Sequence, residues 1–374
     1  MRSNKQKVLI SGASFAGLST AHWLSRMGHD VTVVESAPGL RRGGTAVDIK
    51  GNTIGIVQRM GLFEAIRANR LSLARWEFKN EHDVTERSFT LRQPGEPPRE
   101  DAFEIERDVL LDLLFDTVKD RAEFIFGDRT TALHDAGDSI EAGFDQGAPR
   151  SFDLVFGCDG IHSAVRRLWF GDEAHYMHFL EQYFSITIVD KLLIERDTAQ
   201  LFNVPGKSVM LNAYKNKTDI IFGFFAPKEI PYDHRDEARQ RKIIAEQFAG
   251  VGWRAAELLR EVESSKSFYF DKLCQIRMPS WTKGRVALVG DAGYCPSPAA
   301  GMGGSIAIDG AAALADAMRS SDWDHERAFR AYDASLRPFI QEVQAEAVRT
   351  GLELLVPRTE EAIRARNART DYEF

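Results

Sequence analysis

Residues 7–17 read KVLISGASFAG, and this short stretch decides the fold. Lys7–Ser11 is an apolar run with the length of a buried strand, and Gly12–Gly17 has the small residues of a tight turn. Residues 18–27 then have the composition of a helix, and Val31–Glu35 is a second apolar strand. A strand, a turn, a helix and a strand within roughly 30 residues predict the opening of a doubly wound α/β sheet.

The turn matches a dinucleotide-binding fingerprint, whose three glycine positions are held by Gly12, Ser14 and Gly17. The first glycine permits the tight turn, the second lets the backbone approach a pyrophosphate, and the third lets the helix pack closely on the strand. Ser14 departs from the pattern, although its small hydroxyl can donate a hydrogen bond to a phosphate. The turn therefore indicates nucleotide binding, with a purely structural turn as the alternative.

Glu35 supports the nucleotide interpretation. It ends the second strand, 18 residues after Gly17. An acidic residue at this place accepts hydrogen bonds from the adenosine ribose hydroxyls and disfavours a 2′-phosphate. We therefore expect FAD or NAD here rather than NADP, and a solvated carboxylate at a strand end is the alternative.

The composition excludes several classes of protein. The chain has 374 residues and a formal net charge of -7, which argues against nucleic acid as a partner because phosphates attract basic surfaces. Its three cysteines give neither a disulfide framework nor a metal-ligand spacing, as expected in a reducing compartment. No run approaches the roughly 18 apolar residues of a membrane span. We therefore expect a cytoplasmic protein without a membrane span or a metal site.

The middle of the chain has a different pattern. Aromatic and polar residues alternate, as in Tyr183–Ile188 and Ser208–Asn212, which is typical of an antiparallel sheet covered on one face. The pattern of a parallel sheet returns at Arg285–Gly290. We predict a discontinuous cofactor domain at residues 1–171 and 274–322. The sheet domain inserted in it covers residues 172–273, and the C-terminal helices cover residues 323–374.

Two further motifs follow apolar strands. Residues 158–166 read CDGIHSAVR, although Asp-Gly after a strand is also an ordinary turn. Residues 290–298 read GDAGYCPSP, and GMGG follows at 301–304. A strand that ends in Gly-Asp, a segment with prolines and glycines that open a helix can point backbone N–H groups at an anionic ring system.

These three motifs, in this order, resemble those of the class A FAD-dependent monooxygenases, the aromatic hydroxylases of the p-hydroxybenzoate hydroxylase group. Residues 42–48 (RGGTAVD) and 280–285 (SWTKGR) are similar, more narrowly, to the tetracycline-inactivating flavin monooxygenases, or tetracycline destructases. The resemblance covers nearly the whole chain. It implies a Rossmann-like FAD-binding domain with an inserted mixed or antiparallel β-sheet substrate domain and C-terminal helices.

The resemblance also assigns residues to a non-covalently bound FAD. Gly12, Ser14 and Gly17, with Phe15 and Ala16 between them, would hold the pyrophosphate. Asp159 would support the fold around the site and is a candidate contact of the nicotinamide cofactor. The other implied contacts are Glu35 at the ribose, Arg42, Gly43 and Gly44 in a loop beside the flavin ring, Arg107 and Asp291 at the ribityl–phosphate region, and Pro298, Gly301, Met302 and Gly303 at the isoalloxazine ring.

The family chemistry implies that NAD(P)H, docked transiently, reduces FAD and that O₂ adds at flavin C4a. The resulting hydroperoxide would hydroxylate an aromatic or polycyclic phenolic or enolic substrate, with tetracycline among the candidates. A reductase or dehydrogenase that inserts no oxygen is the alternative enzyme class, and a non-enzymatic FAD-binding protein is a third. The chain departs from the family at Gly293-Tyr294 and at Gly303–Ser305, which leaves the substrate open.

The aromatic middle sheet supplies candidates for an apolar substrate pocket, with ordinary core packing as the alternative for each residue. The sequence identifies no general base, and the chemistry is expected to centre on the flavin. We interpret His162 as structural, and Cys158 and Cys295 as small buried residues. The pocket candidates are Phe184, Met210, Phe222, Phe224 and Tyr294.

Overall fold

The computed structural model describes residues 5–92, 101–233 and 235–369. Residues 1–4 of the predicted cofactor domain and residues 370–374 of the predicted C-terminal helices lie outside these ranges. The strands, in chain order, are β1 (Lys7–Ser11), β2 (Asp30–Glu35), β3 (Val47–Lys50), β4 (Arg75–Lys79), β5 (Thr85–Thr90), β6 (Ala102–Ile105), β7 (Glu123–Phe126), β8 (Thr130–Asp135), β9 (Ile140–Phe144), β10 (Arg150–Phe152), β11 (Leu154–Gly157), β12 (Met177–Val189), β13 (Thr198–Val204), β14 (Lys207–Tyr214), β15 (Lys217–Phe225), β16 (Phe268–Ile276), β17 (Thr282–Lys283) and β18 (Val286–Leu288).

Helices connect these strands and form the C-terminal part of the chain. In chain order they are α1 (Phe15–Arg26), α2 (Asn52–Met60), α3 (Phe63–Asn69), α4 (Arg107–Asp116), α5 (Ala164–Trp169), α6 (Glu237–Phe248), α7 (Ala255–Ser264), α8 (Asp291–Tyr294), α9 (Gly303–Ser320), α10 (His325–Glu346), α11 (Leu352–Leu355) and α12 (Glu360–Ala368). Two 3₁₀ turns, Glu173–His175 and Pro298–Ala300, and a π-helical stretch, Ala347–Gly351, accompany them. Within the described ranges, no helix is both long enough and apolar enough to cross a membrane.

The first sheet confirms the predicted α/β fold class. Its six strands lie in the order β17–β18–β11–β1–β2–β7, and β1 runs parallel to both of its neighbours. The three residues Val8, Leu9 and Ile10 of β1 are almost fully buried, as expected of a parallel sheet covered on both faces. Helix α1 packs against α9 and α4, and its first turn faces the end of β1. The carboxyl ends of these strands therefore form the edge at which an α/β sheet binds its ligands.

The second sheet has seven strands in the order β16–β12–β15–β14–β13–β4–β5. Its neighbouring strands are antiparallel, apart from the parallel pair β13 and β4. We expected this sheet within residues 172–273, but β4 and β5 also belong to it and β16 continues to Ile276. The pairing of Arg75 with Thr198 joins segments that are distant in sequence, so no local pattern reveals it. The domain boundaries themselves stay a prediction.

One face of the second sheet is covered by α6 and α7. Phe222 and Phe224 are fully buried on this face, and Phe222 packs on Phe248 of α6 with ring centroids 4.6 Å apart. Phe224 stacks on Tyr183 at 5.3 Å. The prediction that Phe222 and Phe224 line a substrate pocket is therefore wrong, because their rings fill the core between the sheet and α6.

The opposite face of the second sheet is called the inner face here. It consists of the strand residues that alternate with the ones buried against α6 and α7. The strand register places Phe184 beside Gly223, and Ile186 beside both Ile221 and Tyr269. Met210 is paired with Ile221 and belongs to the same face. The two remaining pocket candidates of the sheet, Phe184 and Met210, thus lie on the inner face, and both are partly exposed.

The C-terminal segment joins the inner face to the loop before α9. Gly351 packs so closely on the Pro298–Ala300 turn that a Cβ on it would lie 2.2 Å from the carbonyl oxygen of Ala299. Farther along, the Leu352 carbonyl accepts a hydrogen bond from Gln182 Nε2 at 3.2 Å, and the Leu355 carbonyl accepts one from Asn203 at 3.2 Å. This segment therefore spans the gap between the two sheets at one end of the inner face.

Candidate active site

The turn between β1 and α1 admits only glycine at two of its positions. Gly12 has a left-handed φ of +103°, and a Cβ on it would lie 2.4 Å from the carbonyl oxygen of Cys158. A Cβ on Gly17 would lie 1.9 Å from the carbonyl oxygen of Gly12. The first turn of α1 thus packs directly on the end of β1, and the free N–H groups of this helix of 12 residues point out of the turn. Ser14 is the residue that precedes the helix.

Glu35 lies beside this turn. Its Oε2 accepts a hydrogen bond from the backbone N–H of Ala13, and its Oε1 accepts one from Ala37, each at 2.9 Å. Oε1 also accepts a hydrogen bond from Ser36 Oγ at 3.2 Å, and Oε2 can accept a second one. The carboxylate is therefore fixed at the edge of the fingerprint turn and retains acceptor capacity for ribose hydroxyls.

Arg107, the first residue of α4, faces the same turn. Its Nη2 donates to Ser14 Oγ at 3.2 Å, and its Nη1 donates to the carbonyl of Arg41 at 2.9 Å. Burial lowers the pKa of the guanidinium, and the nearest carboxylate, Asp108, lies 3.8 Å away. A partly buried cation beside a helix N-terminus, with its neighbouring carboxylate Asp108 as far away as 3.8 Å, fits a pyrophosphate.

Arg42 was predicted to contact the cofactor, but its side chain contacts α4 instead. Its guanidinium forms a two-pronged ion pair with Asp112 of α4, with N–O distances of 2.6 and 2.8 Å, and is half-exposed. The backbone N–H of Gly43 donates to Asp108 at 3.0 Å. The side chain of Arg42 therefore fastens the loop to α4, and the backbone of the loop is left to face the cofactor.

The loop before α9 borders an open space. Asp291 begins α8, and burial raises the pKa of its carboxyl to about 6. A Cβ on Gly301 or Gly303 would meet no heavy atom within 4 Å. Helix α9 has 18 residues and begins at Gly303, so the positive end of its dipole faces this space. An anionic edge of a flavin ring fits this location, and Asp291 can accept hydrogen bonds from ribityl hydroxyls.

Asp159 is engaged inside the protein. Its carboxylate accepts hydrogen bonds from Ser11 Oγ at 3.3 Å, from Ser163 Oγ and from the backbone N–H of Val165 at 3.1 Å. These bonds join the end of β1 to the start of α5. A contact between Asp159 and a nicotinamide cofactor stays a prediction.

Tyr269, on the inner face of the sheet, lies near the loop before α9, and the space between the inner face and this loop is called the cavity here. Tyr269 is 44% exposed, yet burial raises its pKa well above the ordinary value, and the negative charge of Asp291 adds to this shift. The ring of Tyr269 is therefore partly solvent-accessible and lies within electrostatic range of Asp291. Its ring centroid is 5.6 Å from that of Phe184. Tyr269 was not among the residues predicted from sequence, although its place in the run FYF at 268–270 marks it as an aromatic strand residue.

Two carboxyls on the cavity side were also missed. Burial raises the pKa of Glu104 to about 7, with the neighbouring Asp48 and Asp219 adding to the shift. Burial likewise raises the pKa of Asp219 to about 6. Thr45, at the end of the glycine loop, donates to Asp219 at 2.9 Å and so connects that loop to the sheet. No sequence signal connects these acids, because they belong to strands that are distant in the chain.

Tyr294 lies behind α9, away from the inner face of the sheet. It is fully buried, its ring centroid lies 4.5 Å from that of Trp281, and its hydroxyl lies 2.9 Å from that of Tyr332. Its prediction as a substrate contact is wrong, because the side chain points into the core behind α9. Cys158 and Cys295 are buried thiols.

The turn at Gly12, the cation at Arg107 and the N-terminus of α9 define a dinucleotide-binding oxidoreductase with room for a ring system beside a second sheet. Comparison with known proteins gives its family. The FAD binding domain family matches residues 5–347. The protein Rv1260 of Mycobacterium tuberculosis is 38% identical over 342 residues, which cover 90% of this chain and 91% of that protein.

A flavin-dependent monooxygenase of Legionella longbeachae is 33% identical over 344 residues, which cover 90% of this chain and 87% of that enzyme. The crystal structure of tetracycline destructase Tet(51) has 32% identity and a TM-score of 0.87, and the match covers 97% of this chain and 95% of that one. The chain therefore belongs to the FAD-binding domain family. It is an FAD-dependent monooxygenase, and its predicted cofactor is confirmed.

Proposed function

We propose that this monooxygenase hydroxylates an aromatic or polycyclic phenol or enol, with tetracycline-like compounds as the first class to test. NAD(P)H and O₂ are the proposed co-substrates. One oxygen atom of O₂ enters the substrate, the other leaves as water, and NAD(P)H supplies the two electrons. When bound, FAD supplies the chemistry that activates oxygen.

The observation that carries this proposal is the closeness of the inner face to the loop before α9, since Tyr269 of that face lies within electrostatic range of Asp291. The inner face carries Phe184, Met210 and Tyr269, which the strand register places on the same side of the sheet. A flat polycyclic substrate is held by such a wall through apolar and aromatic contacts. Thr45, which is partly exposed and held by its hydrogen bond to the buried Asp219, adds a hydroxyl that can orient a substrate with several hydroxyls.

The protein residues have three tasks. Arg107 and the N-termini of α1 and α9 neutralise the negative charge of the cofactor. The aromatic wall and the C-terminal segment around Gly351 exclude water from the cavity, which protects reactive oxygen species from side reactions. The inner face places the electron-rich ring of the substrate against the cofactor.

The test is a titration of the FAD-loaded protein with tetracycline and with simple phenols, in which NADH and NADPH oxidation and product mass are followed under ¹⁸O₂. We expect at least one compound to stimulate NAD(P)H oxidation and to gain a single labelled oxygen. Stimulation by phenols alone, with every tetracycline inactive, would contradict the tetracycline-like class. NAD(P)H oxidation that yields only hydrogen peroxide with all compounds would contradict the proposed substrates altogether.

A further inference from the structure

Two contacts tie the inner face to loops on the cofactor-binding side of the molecule. Thr45, at the end of the glycine loop, donates to Asp219 of β15 at 2.9 Å. Four residues farther along β15, a Cβ on Gly223 would lie 3.0 Å from the side chain of Val356, in the C-terminal segment. Because Gly351 of this segment packs on the turn before α9, both contacts lead to loops that the family resemblance places beside the flavin ring.

Met210 lies between these two contacts. Its register partner on β15 is Ile221, which is halfway between Asp219 and Gly223. Residues two apart on a strand share a face, so these three positions of β15 all belong to the inner face. Met210 is partly exposed, whereas Leu201, its partner on β13, is buried. The thioether of Met210 therefore borders the cavity, between the two loops.

The other methionines in the described ranges have different surroundings. Three are buried, and three more are partly exposed and pack on the core around the first sheet. The buried ones are Met60, Met278 and Met318, and the partly exposed ones are Met27, Met177 and Met302. Met302 precedes α9, whereas Met27 follows α1 at its C-terminal end, about 18 Å along the helix from the fingerprint turn. Met27 is therefore a partly exposed methionine remote from the cofactor loops.

A methionine thioether is soft and polarizable, and electrophilic oxygen converts it to a sulfoxide. A monooxygenase directs such oxygen at an electron-rich acceptor beside its flavin, and that acceptor is normally the substrate. Tyr269 carries a phenol on the same face as Met210, but burial raises the pKa of Tyr269 well above the ordinary value. A neutral phenol is a weaker nucleophile than a thioether, so Met210 is the better acceptor in a cavity without substrate.

We propose that Met210 is an internal oxygen acceptor of this enzyme, which is oxidised to the sulfoxide when the cavity holds no substrate. This inference rests on the proposed function, because NAD(P)H and O₂ are the co-substrates of that function. The modification is reversible, since methionine sulfoxide reductases restore the thioether. A polar sulfoxide on the inner face weakens the binding of an aromatic ring, so turnover without substrate lowers the affinity of the cavity.

The atoms and electrons balance as they do for a small-molecule substrate. One oxygen atom of O₂ forms a bond to the sulfur of Met210, the O–O bond breaks, and the other oxygen leaves as water. The sulfur and NAD(P)H each give up two electrons, and O₂ takes up all four. The hydride of NAD(P)H and one proton from solvent provide the two hydrogens of the water.

The experiment follows oxygen into the protein itself. FAD-loaded protein is given NADH or NADPH under ¹⁸O₂, without substrate and with catalase present to remove free hydrogen peroxide, and mass spectrometry of its peptides measures the sulfoxide at each methionine. We expect Met210 to gain a single ¹⁸O atom at a level at least about tenfold above Met27, and to gain none without NAD(P)H. Hydrogen peroxide added instead should oxidise Met210 and Met27 to within about threefold of each other.

Met210→Leu is the matched variant, because leucine conserves the apolar volume. After turnover without substrate, wild type should lose about threefold or more of its affinity for 4-nitrophenol or tetracycline, and methionine sulfoxide reductase should restore it. The affinity of Met210→Leu should be the same before and after this treatment. The spectrum of the bound FAD reports the affinity in both proteins.

A second route to reduced FAD separates this inference from the proposed function. Light in the presence of EDTA reduces the bound FAD without NAD(P)H, and ¹⁸O₂ is then admitted. If neither NADH nor NADPH is oxidised but the light-reduced protein labels Met210, the proposed co-substrates are wrong and the oxygen acceptor stands. A label at Met210 no greater than at Met27, or a label confined to Met302 or Tyr269, would overturn the acceptor and leave the proposed function intact.

Discussion

The hydroxyl oxygen of Tyr294 occupies the space beside Gly310 in which any other residue would place its Cβ. A Cβ on Gly310 would lie 1.8 Å from this oxygen and 3.0 Å from the ring carbon that bears it. Gly310 lies in the middle of α9, where a glycine costs helix stability compared with alanine. The glycine is therefore explained by the phenol that packs against it, which locks α9 onto the segment that follows Asp291.

Gly310→Ala should destabilise the protein by about 3 kcal/mol, since the helix or the ring must shift to relieve the overlap. In a Tyr294→Phe background the same substitution should cost only about 1 kcal/mol, because the hydroxyl oxygen is gone and the helix propensity of alanine offsets part of the remaining strain. Urea unfolding of the four proteins measures this difference. Equal effects of Gly310→Ala in both backgrounds would show that the hydroxyl is not what excludes a side chain.

The faces of the second sheet could not be assigned from sequence. Phe184 and Phe222 are both aromatic strand residues, yet Phe184 lies on the inner face and Phe222 packs on α6. Alternation shows that neighbours point in opposite directions, but when helices cover one face and a cavity borders the other, both faces are apolar. The dinucleotide-binding fingerprint could be recognised from sequence, because Gly12 and Gly17 meet local backbone constraints that only glycine satisfies.

Two features of the structure have no signal in the sequence: the proximity of Glu104 and Asp219, and the membership of β5 in the second sheet. Glu104 of β6 and Asp219 of β15 interact electrostatically although they are distant in the chain, and neither has a distinctive neighbour in sequence. Strand β5 is mostly exposed and polar, so it lacks the apolar alternation by which strands are recognised. Contacts between segments that are distant in the chain therefore could not be predicted from the sequence.

The same substitution on the two faces of the sheet should have opposite consequences. Phe222→Leu should destabilise the protein by about 1–2 kcal/mol, through a cavity in the core beside Phe248, and leave the KM for substrate within about twofold. Phe184→Leu should leave the free energy of unfolding within about 1 kcal/mol and raise the KM several-fold. Thermal unfolding and steady-state kinetics with the best substrate of the phenol and tetracycline series distinguish them. A changed KM in Phe222→Leu alone would reverse the assignment of the faces.

Two adjacent glycines at the start of α9 allow the flavin location to be tested without turnover. A Cβ on Gly303 would enter open space, whereas one on Gly304 would meet Phe15 and Val47 at 3.4 Å, ordinary contact distances. Gly303→Ala should therefore weaken FAD binding by about tenfold, or about 1.4 kcal/mol, with little change in apoprotein stability. Gly304→Ala should change FAD affinity by less than about threefold. Fluorescence titration of the apoprotein with FAD measures both constants, and equal affinities would contradict placement of the ring in front of Gly303.

The raised pKa of Glu104 has a consequence for the stability of the apoprotein. The folded state holds the proton of this carboxyl up to a pKa of about 7, more tightly than the unfolded chain does. Its contribution to stability is therefore fully present below the unfolded pKa, and it is lost as the pH rises through about 7. At alkaline pH the folded protein must hold a poorly solvated carboxylate near Asp48 and Asp219.

Glu104→Gln should consequently stabilise the apoprotein at about pH 8, by about 1 kcal/mol, and have no such effect at about pH 5, where the wild-type carboxyl is already neutral in the folded state. The expected gain is smaller than the full pKa shift would give, because water reaches the cavity and screens the charges. Glu141→Gln, at an exposed position of β9, is the matched control and should leave the pH dependence of stability as it is in wild type. Melting temperatures of the three apoproteins across this pH range provide the measurement. A Glu104→Gln curve parallel to that of wild type would mean that Glu104 ionises in the folded protein as readily as in the unfolded chain.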